Sequence, residues 1–332
     1  MNMIKKLAAL FCLCLLLMSA GCGSQSSDED SAEQGRVIMN YDASGHSVKT
    51  VYKDVPGKVL ILYPGAAETM LELGLDDHIL SAISPYGEEP ASIAAKYDAL
   101  PKLQAAFIPS VEEVFAMQPD LIIGWAHNFS PTELGSVQDW KAHKIPVYIV
   151  PATLKHDRPT LENSVYPFLE DMGRIFQREE KAAEFIAACR QREAAVEQSV
   201  KDKPVKTAIV LQDHGKSSYS LYGPDYLIND LLNKAGLENL VKQRTSFIGP
   251  ERVLSNDPDY LIFVSLPDSD GKDLSDEEVV KLVQSNRDLT SLRAVREGRI
   301  INIPFAEVNS GNQRSIDALE RLLHGRMKGE NF

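Results

Sequence analysis

Cysteine is scarce in this chain of 332 residues, which contains only four. Cys12 and Cys14 lie inside a short apolar run near the N-terminus, and Cys22 stands just after it. We expect the first two to be removed with that run and Cys22 to be modified, which leaves Cys189 alone. No internal disulfide is therefore expected, and stability has to come from a packed core.

Positive charge is also in short supply, because 35 Lys and Arg residues face 47 Asp and Glu residues, for a formal net charge of −12. An acidic chain without a basic cluster repels nucleic-acid phosphates, so no nucleic-acid partner is expected. The apolar share of 44% is ordinary for a globular protein, and the length suffices for two modest domains.

Catalytic signatures are missing as well. The sequence has no Gly-x-Ser-x-Gly nucleophile elbow, no His-Glu-x-x-His zinc helix and no phosphate-binding loop. Asp213 and His214 are adjacent and would point to opposite sides of a strand, which makes them a poor acid–base pair. We therefore predict no catalytic residues and no enzymatic activity.

The N-terminus carries the pattern of a secretory signal. Lys5 and Lys6 precede an apolar run at 7–18 that is too short to span a bilayer as a helix. The following Ser19-Ala20-Gly21-Cys22 resembles the lipobox of bacterial lipoproteins, which implies cleavage before Cys22 and a lipid on its sulfur. Residues 23–34, rich in Ser, Asp and Glu, are typical of a flexible tether. We predict an extracytoplasmic protein anchored to the cell membrane.

Short apolar runs bounded by turn residues recur along the rest of the chain and are typical of strands buried on both faces. Helical patterns fall between them, which favours parallel sheets covered by helices. The predicted strands are 59–63, 121–125, 147–150, 208–211, 261–264 and 300–303, and the predicted helices are 69–75, 111–117, 133–143, 226–235 and 316–323.

One segment breaks this alternation. From 161 to 200 the only glycine is Gly173, and apolar residues recur at helical spacing. The sequence thus predicts an α/β fold with two lobes, each rich in parallel sheet, joined by one long helix with the ligand cleft between them. The predicted boundaries are a signal peptide at 1–21, a tether at 22–35, the N-terminal lobe at 36–158, the linking helix at 159–203 and the C-terminal lobe at 204–332.

Residues 111–120 and 250–259 share one construction. In each, a glutamate opens a short helix, and a Pro-Asp pair follows before a strand. Glutamate is favourable in the first turn of a helix, and proline shortly after the last turn stops it. Two copies, one in each half of the chain, indicate two lobes of similar construction.

These repeats, with Asp42-Ala43-Ser44-Gly45, the unit at 58–69 and the segment at 292–300, resemble the class III solute-binding proteins of ABC importers. That family carries iron-siderophores, haem and vitamin B12, and its fold is two α/β lobes joined by one long helix. The resemblance implies that the partner is a permease with its ATPase subunits. It also implies that Glu112 and Glu251, one in each lobe, pair with arginines on the permease; without the resemblance, both fit an ordinary helix-opening role.

Open α/β sheets bind ligands beyond the carboxyl ends of their strands, so the loops after the strands carry the candidate ligand-binding residues. Aromatic rings suit a planar or greasy ligand, arginine suits an anionic chelate, and histidine suits a metal centre or a polar rim. Each candidate also fits an ordinary structural role in core packing or helix capping. The candidates are Tyr86, Trp125, His127, His214, Tyr219, Tyr222, Phe305 and Arg314.

A protein-held metal site needs three or four converging ligands, and only His127 and His214 stand out, so none is predicted. We expect no cofactor. The predicted ligand is an Fe(III) chelate, such as a siderophore or haem, or a cobalamin, and ligation of haem by one His or Tyr stays open. We expect a monomer. The alternatives are a lipid-anchored α/β hydrolase and an interaction lipoprotein without a transport role.

Overall fold

The structure, a computed structural model, describes residues 35–103, 108–154 and 158–330. The signal peptide, Cys22 and the tether up to residue 34 lie outside these residues, so the predictions made for them stay predictions. The chain from Arg36 onward forms one compact unit. Among the described helices, none has the length and apolar character that crossing a bilayer requires.

The N-terminal lobe contains a four-stranded parallel sheet with the order β4-β3-β5-β6 and a separate antiparallel hairpin of β1 and β2. Its strands are β1 (Arg36–Tyr41), β2 (Ser47–Tyr52), β3 (Val59–Ile61), β4 (Ile79–Ala82), β5 (Leu121–Gly124) and β6 (Val147–Ile149). Its helices are α1 (Pro64–Glu72), α2 (Ala94–Ala99), α3 (Val111–Met117) and α4 (Val137–Ala142).

The C-terminal lobe contains a six-stranded sheet with the order β10-β8-β7-β11-β12, in which β9 also pairs with β7. Its strands are β7 (Lys206–Asp213), β8 (Tyr219–Leu221), β9 (Leu237–Asn239), β10 (Thr245–Ile248), β11 (Tyr260–Ser265) and β12 (Ile300–Pro304). Its helices are α7 (Ile228–Lys234), α8 (Pro250–Leu254), α9 (Asp276–Ser285), α10 (Arg293–Arg296), α11 (Phe305–Val308) and α12 (Arg314–Glu330). The linking helices, between the two lobes in the chain, are α5 (Tyr166–Phe176) and α6 (Glu179–Val200).

The predicted fold class is confirmed: both lobes have parallel strands covered by helices. The C-terminal sheet departs from a purely parallel pattern, because β8 runs antiparallel to β7 and β10 runs antiparallel to β8. The strand β8 follows β7 after the tight turn around Gly215, which has a φ of 77°. A connection this short can join only antiparallel neighbours.

The linking segment is not one unbroken helix, which corrects the prediction for 161–200. A wider turn at Leu161–Val165 precedes α5, and Gln177, with a φ of 55°, separates α5 from α6. Pro167 sits in the first turn of α5, where its missing amide hydrogen matters least. A Cβ on Gly173 would lie 2.7 Å from the Ala182 Cβ, so the missing side chain lets α5 and α6 pack closely beyond the break.

Hydrophobic residues of α5 lie in the cores of both lobes. Phe168, Met172 and Ile175 pack with the core around β3 and β5. Tyr166 and Leu169 pack with the core around β7 and β11. The helix therefore serves as common structure for the two lobes as well as a connection between them.

The two Pro-Asp pairs do the same structural work in the two lobes. The Asp120 carboxylate accepts hydrogen bonds from the amides of Gly57 and Lys58, at 2.8 and 2.9 Å, just before β3. The Asp259 carboxylate accepts from the amide and hydroxyl of Thr207 in β7, both at 2.9 Å. Each aspartate thus ties the start of its own strand to the neighbouring parallel strand, which supports the inference that the lobes have similar construction.

Candidate functional site

A cavity of about 220 Å³ lies between the two lobes. Its N-terminal wall comes from the segments that follow β3, β5 and β6, and its C-terminal wall from the segments that follow β8 and β12. Its lining residues are Tyr63, Trp125, His127, Ala152, Thr153, Leu154, Asp225, Tyr226, Leu227, Arg244, Val308, Asn309 and Gly311. This is the position that the rule for open α/β sheets predicts for a ligand.

Trp125 on the N-terminal wall is held by the turn that follows β5. Its amide donates to the Asn128 side-chain oxygen at 2.7 Å, and the next amide, of Ala126, donates to the Thr153 hydroxyl at 3.0 Å. The indole lies edge-on to His127, with ring centroids 4.7 Å apart, and edge-on to Tyr63 at 5.7 Å. The turn therefore presents a fixed aromatic surface to the cavity.

The C-terminal wall contributes an aromatic ring with a cation beside it. The guanidinium of Arg244 lies over the ring of Tyr226, 5.6 Å from its centroid, and Tyr222 packs against the same tyrosine at 4.7 Å. Arg244 is exposed at the mouth of the cavity. The Oδ1 atom of Asp225 is buried and has no hydrogen-bond partner among the described residues. This wall thus offers a cation and an aromatic ring to a bound molecule.

Tyr63 connects the two lobes at the cavity. Its hydroxyl donates to the carbonyl oxygen of Asn309. Burial raises the pKa of Tyr63 well above its ordinary value, and burial also raises the pKa of Tyr86 to about 12. Both phenols are therefore neutral near pH 7.

The predicted residues Tyr86 and Phe305 lie next to the cavity and not in its lining. Tyr86 is edge-on to Tyr63, with centroids 6.5 Å apart, and edge-on to Phe305 at 5.4 Å. Since Phe305 belongs to the C-terminal lobe, a continuous row of rings runs from Trp125 across the boundary.

Arg314 lies in the same boundary, but its guanidinium is already engaged. Its Nη1 donates to the Glu68 carboxylate at 2.8 Å, and its Nη2 donates to the Glu88 carbonyl oxygen at 3.0 Å. Burial raises the pKa of Glu68, while the charge of Arg314 and a hydrogen bond from Asn312 act in the opposite direction. In this conformation Arg314 joins the lobes and does not line the cavity.

Three other predicted residues lie away from the cavity. His214 donates to or accepts from the Ser220 hydroxyl at 2.7 Å and stacks on Phe247. The Tyr219 hydroxyl donates to Asp288 at 3.0 Å on the opposite face of the sheet, because side chains alternate along β8. Tyr222 is buried behind Tyr226 and donates to Gln212 at 2.9 Å. The structure therefore brings Trp125 and His127 into the cavity and leaves these three outside it.

The sequence reasoning missed several residues that line the cavity. Tyr63 follows β3 directly, so the same strand-end rule that selected Trp125 would have selected it. Asp225 and Tyr226 follow Gly223-Pro224, and Tyr226 was predicted only as the start of a helix. Arg244 lies in an extended segment before β10 with no motif around it, and no local signal identifies it.

A larger groove, of about 690 Å³, lies on the outside of the C-terminal lobe between α9 and α12. Its charged lining mixes both signs, with Asp276 and Glu277 beside Lys281 and Lys328. The smaller cavity is the better candidate for a ligand site, because it combines aromatic rings with few, converging polar groups. Across the described ranges, no group of three or more His, Cys, Asp or Glu residues is arranged to hold a metal ion.

Comparison with known proteins places this geometry among transport receptors. The profile of a family described as periplasmic binding protein matches residues 59–307. The petrobactin-binding protein YclQ of Bacillus subtilis is 24% identical over 319 residues, which cover 91% of this chain and 92% of the relative.

Solved structures share the fold over both lobes. A periplasmic binding protein from Veillonella parvula has a TM-score of 0.73 at 24% identity, covering 88% of this chain and 97% of that one. An ABC-type Fe3+-hydroxamate transport system protein from Saccharomonospora viridis has a TM-score of 0.70 at 25% identity, covering 87% and 98%.

Proposed function

Because the chain belongs to the periplasmic binding protein family, we propose that it is the ligand-capturing component of an ABC importer, held outside the cytoplasm by a lipid on Cys22. It captures a metal chelate between its lobes and delivers it to a membrane permease. Hydrolysis of ATP takes place in the partner subunits.

The residues that line the cavity indicate the class of ligand. Trp125 and Tyr226 offer ring faces from opposite lobes, and Arg244 supplies a positive charge at the mouth. This set suits a ferric siderophore of net negative charge better than a neutral corrinoid, because the guanidinium gains from an anionic oxygen. The names of the petrobactin-binding and Fe3+-hydroxamate relatives support the same ligand class. Haem and cobalamin are the other candidates.

Tryptophan fluorescence tests this proposal directly, because the chain has only two tryptophans. Trp125 lines the cavity, whereas Trp140 is buried and donates to the Leu134 carbonyl oxygen at 2.8 Å. The protein without residues 1–22 would be titrated with a panel of ferric siderophores, haemin and cyanocobalamin. We expect saturable quenching by a ferric siderophore at submicromolar concentration, with loss of the signal in Trp125→Phe.

A matched pair of arginine variants tests the role of charge. Arg244→Gln should weaken binding of an anionic ferric siderophore about 10- to 100-fold, the range expected for one hydrogen bond to a charged group. Arg287→Gln, an exposed arginine in the turn after α9, should leave the affinity unchanged. If no compound quenches Trp125, or if both arginine variants bind as the wild type does, the proposed ligand class is wrong.

The proposed docking points are Glu112 and Glu251. Both are the second residue of a short helix, in α3 and α8, and both are exposed. The neighbouring Glu113 caps its own helix, because its carboxylate accepts a hydrogen bond from the Ser110 amide at 2.6 Å. Within the part of the chain that the structure describes, no hydrogen bond or ion pair engages the carboxylate of Glu112 or of Glu251. Both carboxylates are therefore available to arginines of a permease.

A further inference from the structure

Each proposed docking glutamate has an exposed phenylalanine close to it. In the N-terminal lobe, Phe115 follows Glu112 by three residues on α3, so the two side chains share one face of the helix at a Cβ separation of about 5–6 Å. Phe115 is 38% exposed. Its inner side rests on Trp140, with centroids 4.9 Å apart, and its edge meets His143 at the same distance.

The C-terminal lobe repeats this combination with different connectivity. The Glu251 carboxylate curls back over Gly249, where a Cβ would lie 2.7 Å from Oε2. Phe247 is only two residues before that glycine, a reach of at most about 7 Å along the chain. The Phe247 ring packs against His214 with centroids 4.9 Å apart and the rings tilted by 34°, whereas Phe115 meets His143 edge-on at the same centroid distance.

Neither packing nor backbone preference explains Phe247. Its side chain is 76% exposed, the largest value among the large hydrophobic residues of the described chain. Its φ of 57° lies in the left-handed region, which bulky side chains rarely adopt. A glycine or asparagine would fit this backbone with less strain. The ring therefore has a use outside the folded monomer.

We propose that Phe115 and Phe247 form, with Glu112 and Glu251, two arginine-binding surfaces for the permease; this rests on the proposed function. A guanidinium donates from its edge to a carboxylate and stacks its face on an aromatic ring. A carboxylate beside an exposed ring therefore matches arginine better than it matches lysine. Aromatic residues and arginine are also enriched at the centres of protein interfaces. The occupant is thus an arginine-bearing surface of the permease, one arginine for each lobe.

Photo-crosslinking in the cell that carries the protein tests where the rings lie. Phe115 or Phe247 would be replaced by the phenylalanine analogue p-benzoylphenylalanine, with Met39 as control because it is 55% exposed on β1. We expect positions 115 and 247, but not 39, to crosslink to a polypeptide that mass spectrometry identifies as an ABC permease subunit. Crosslinks to lipid alone, or equal crosslinking at position 39, would overturn the inference.

Affinity for that permease, reconstituted with its ATPase in nanodiscs, tests the contribution of the rings. Phe247→Asn removes the ring and suits the left-handed backbone, and Phe115→Leu keeps the packing on Trp140 while removing the aromatic face. We expect each variant to dock about 3- to 30-fold more weakly than the wild type, the range for a cation–π contact. Met39→Asn should dock normally.

Two results separate this inference from the proposed function. If Glu112→Arg with Glu251→Arg abolishes docking while Phe247→Asn and Phe115→Leu dock as the wild type does, the aromatic surfaces are wrong and the proposed function stands. If the wild-type protein binds neither a chelate from the panel nor the permease complex, both are wrong.

Discussion

The guanidinium of Arg314 donates to the carboxylate of Glu68 across the boundary between the two lobes, with Nη1 and Oε1 separated by 2.8 Å. The side chains are 6% and 2% exposed, so both charges are almost fully removed from water. The Asn312 side chain donates to the same carboxylate at 2.9 Å and to the Gly65 carbonyl oxygen at 2.9 Å. A buried pair with its remaining hydrogen bonds satisfied holds the two lobes in one relative position.

Removing one partner of this pair should be strongly destabilising. Glu68→Gln leaves the buried Arg314 guanidinium without its hydrogen-bonded counter-charge, and we expect a loss of about 3–5 kcal/mol in the free energy of unfolding. Urea denaturation measures it. The control is Glu238→Gln, whose exposed pair with Lys242 should contribute less than about 1 kcal/mol. Equal effects of the two variants would mean that the buried pair does not hold the lobes.

Lobe closure on ligand binding should be small. Besides the ion pair, the Thr69 hydroxyl donates to Gln313 at 3.1 Å, and a Cβ on Gly65 would lie 2.0 Å from the Ser310 carbonyl oxygen. These contacts leave little room for a wide hinge movement. Small-angle scattering should detect no substantial change in radius of gyration when ligand is added. Gly65→Ala should separate the lobes, because the added methyl group meets backbone, and should increase the radius without ligand.

Charge reversal at both docking points should stop transport and leave ligand binding intact. In Glu112→Arg with Glu251→Arg, like charges face the permease arginines, while the cavity lining is unchanged. Uptake of a labelled chelate by cells and binding by the purified variant would be measured together. The matched control reverses one exposed acid in each lobe, Asp98→Arg with Glu238→Arg, and should transport normally. Weakened ligand binding in the docking variant would instead assign these glutamates to the pocket.

The free energy of unfolding should depend on pH in part through the titration of Asp171. Burial raises its pKa to about 6, although a 2.9 Å hydrogen bond from Tyr148 and the charge of Arg174 act in the opposite direction. A carboxyl with a raised folded-state pKa binds its proton more tightly in the folded protein, so stability falls as pH rises from about 4 to about 6.

Asp171→Asn removes this titration. Denaturation at several pH values should give a flatter profile for the variant over that window, with a difference in slope of at most about 1.4 kcal/mol per pH unit. The exposed Asp98→Asn should leave the profile unchanged. A profile for Asp171→Asn that parallels the wild type would contradict the raised pKa.

The sequence predicted the family, which the family profile confirms, and most of the parallel strands. The buried strands were predictable because both of their faces are covered. Such strands are continuous apolar runs in the sequence, as Leu121–Gly124 is. The edge strand Thr245–Ile248 was not, because its residues are exposed or half-exposed and its pattern is polar. The break at Gln177 was missed because a single residue in the left-handed conformation does not interrupt the helical spacing of the apolar residues around it.

The site was predictable only where it follows a strand directly. Trp125, which lines the cavity, was selected in this way. The docking role of Glu112 and Glu251 stays a prediction, made from a repeated pattern and a family resemblance. Arg314 was assigned to the ligand because a lone arginine near a strand end gives no indication of its partner. Glu68, which engages it, stands 246 residues earlier in the sequence. Pairing over that separation is a property of the folded lobes and not of local sequence.

The linking helix α5 should make the two lobes unfold together. It contributes Leu169 to one core and Phe168 to the other, although these residues are adjacent in the sequence. Melting of either lobe alone would strip a face of this helix of its partners and expose large apolar side chains to water. The two lobes should therefore lose their structure together, in a single calorimetric transition whose measured and van't Hoff enthalpies agree. The connection between the lobes thus makes them one cooperative folding unit.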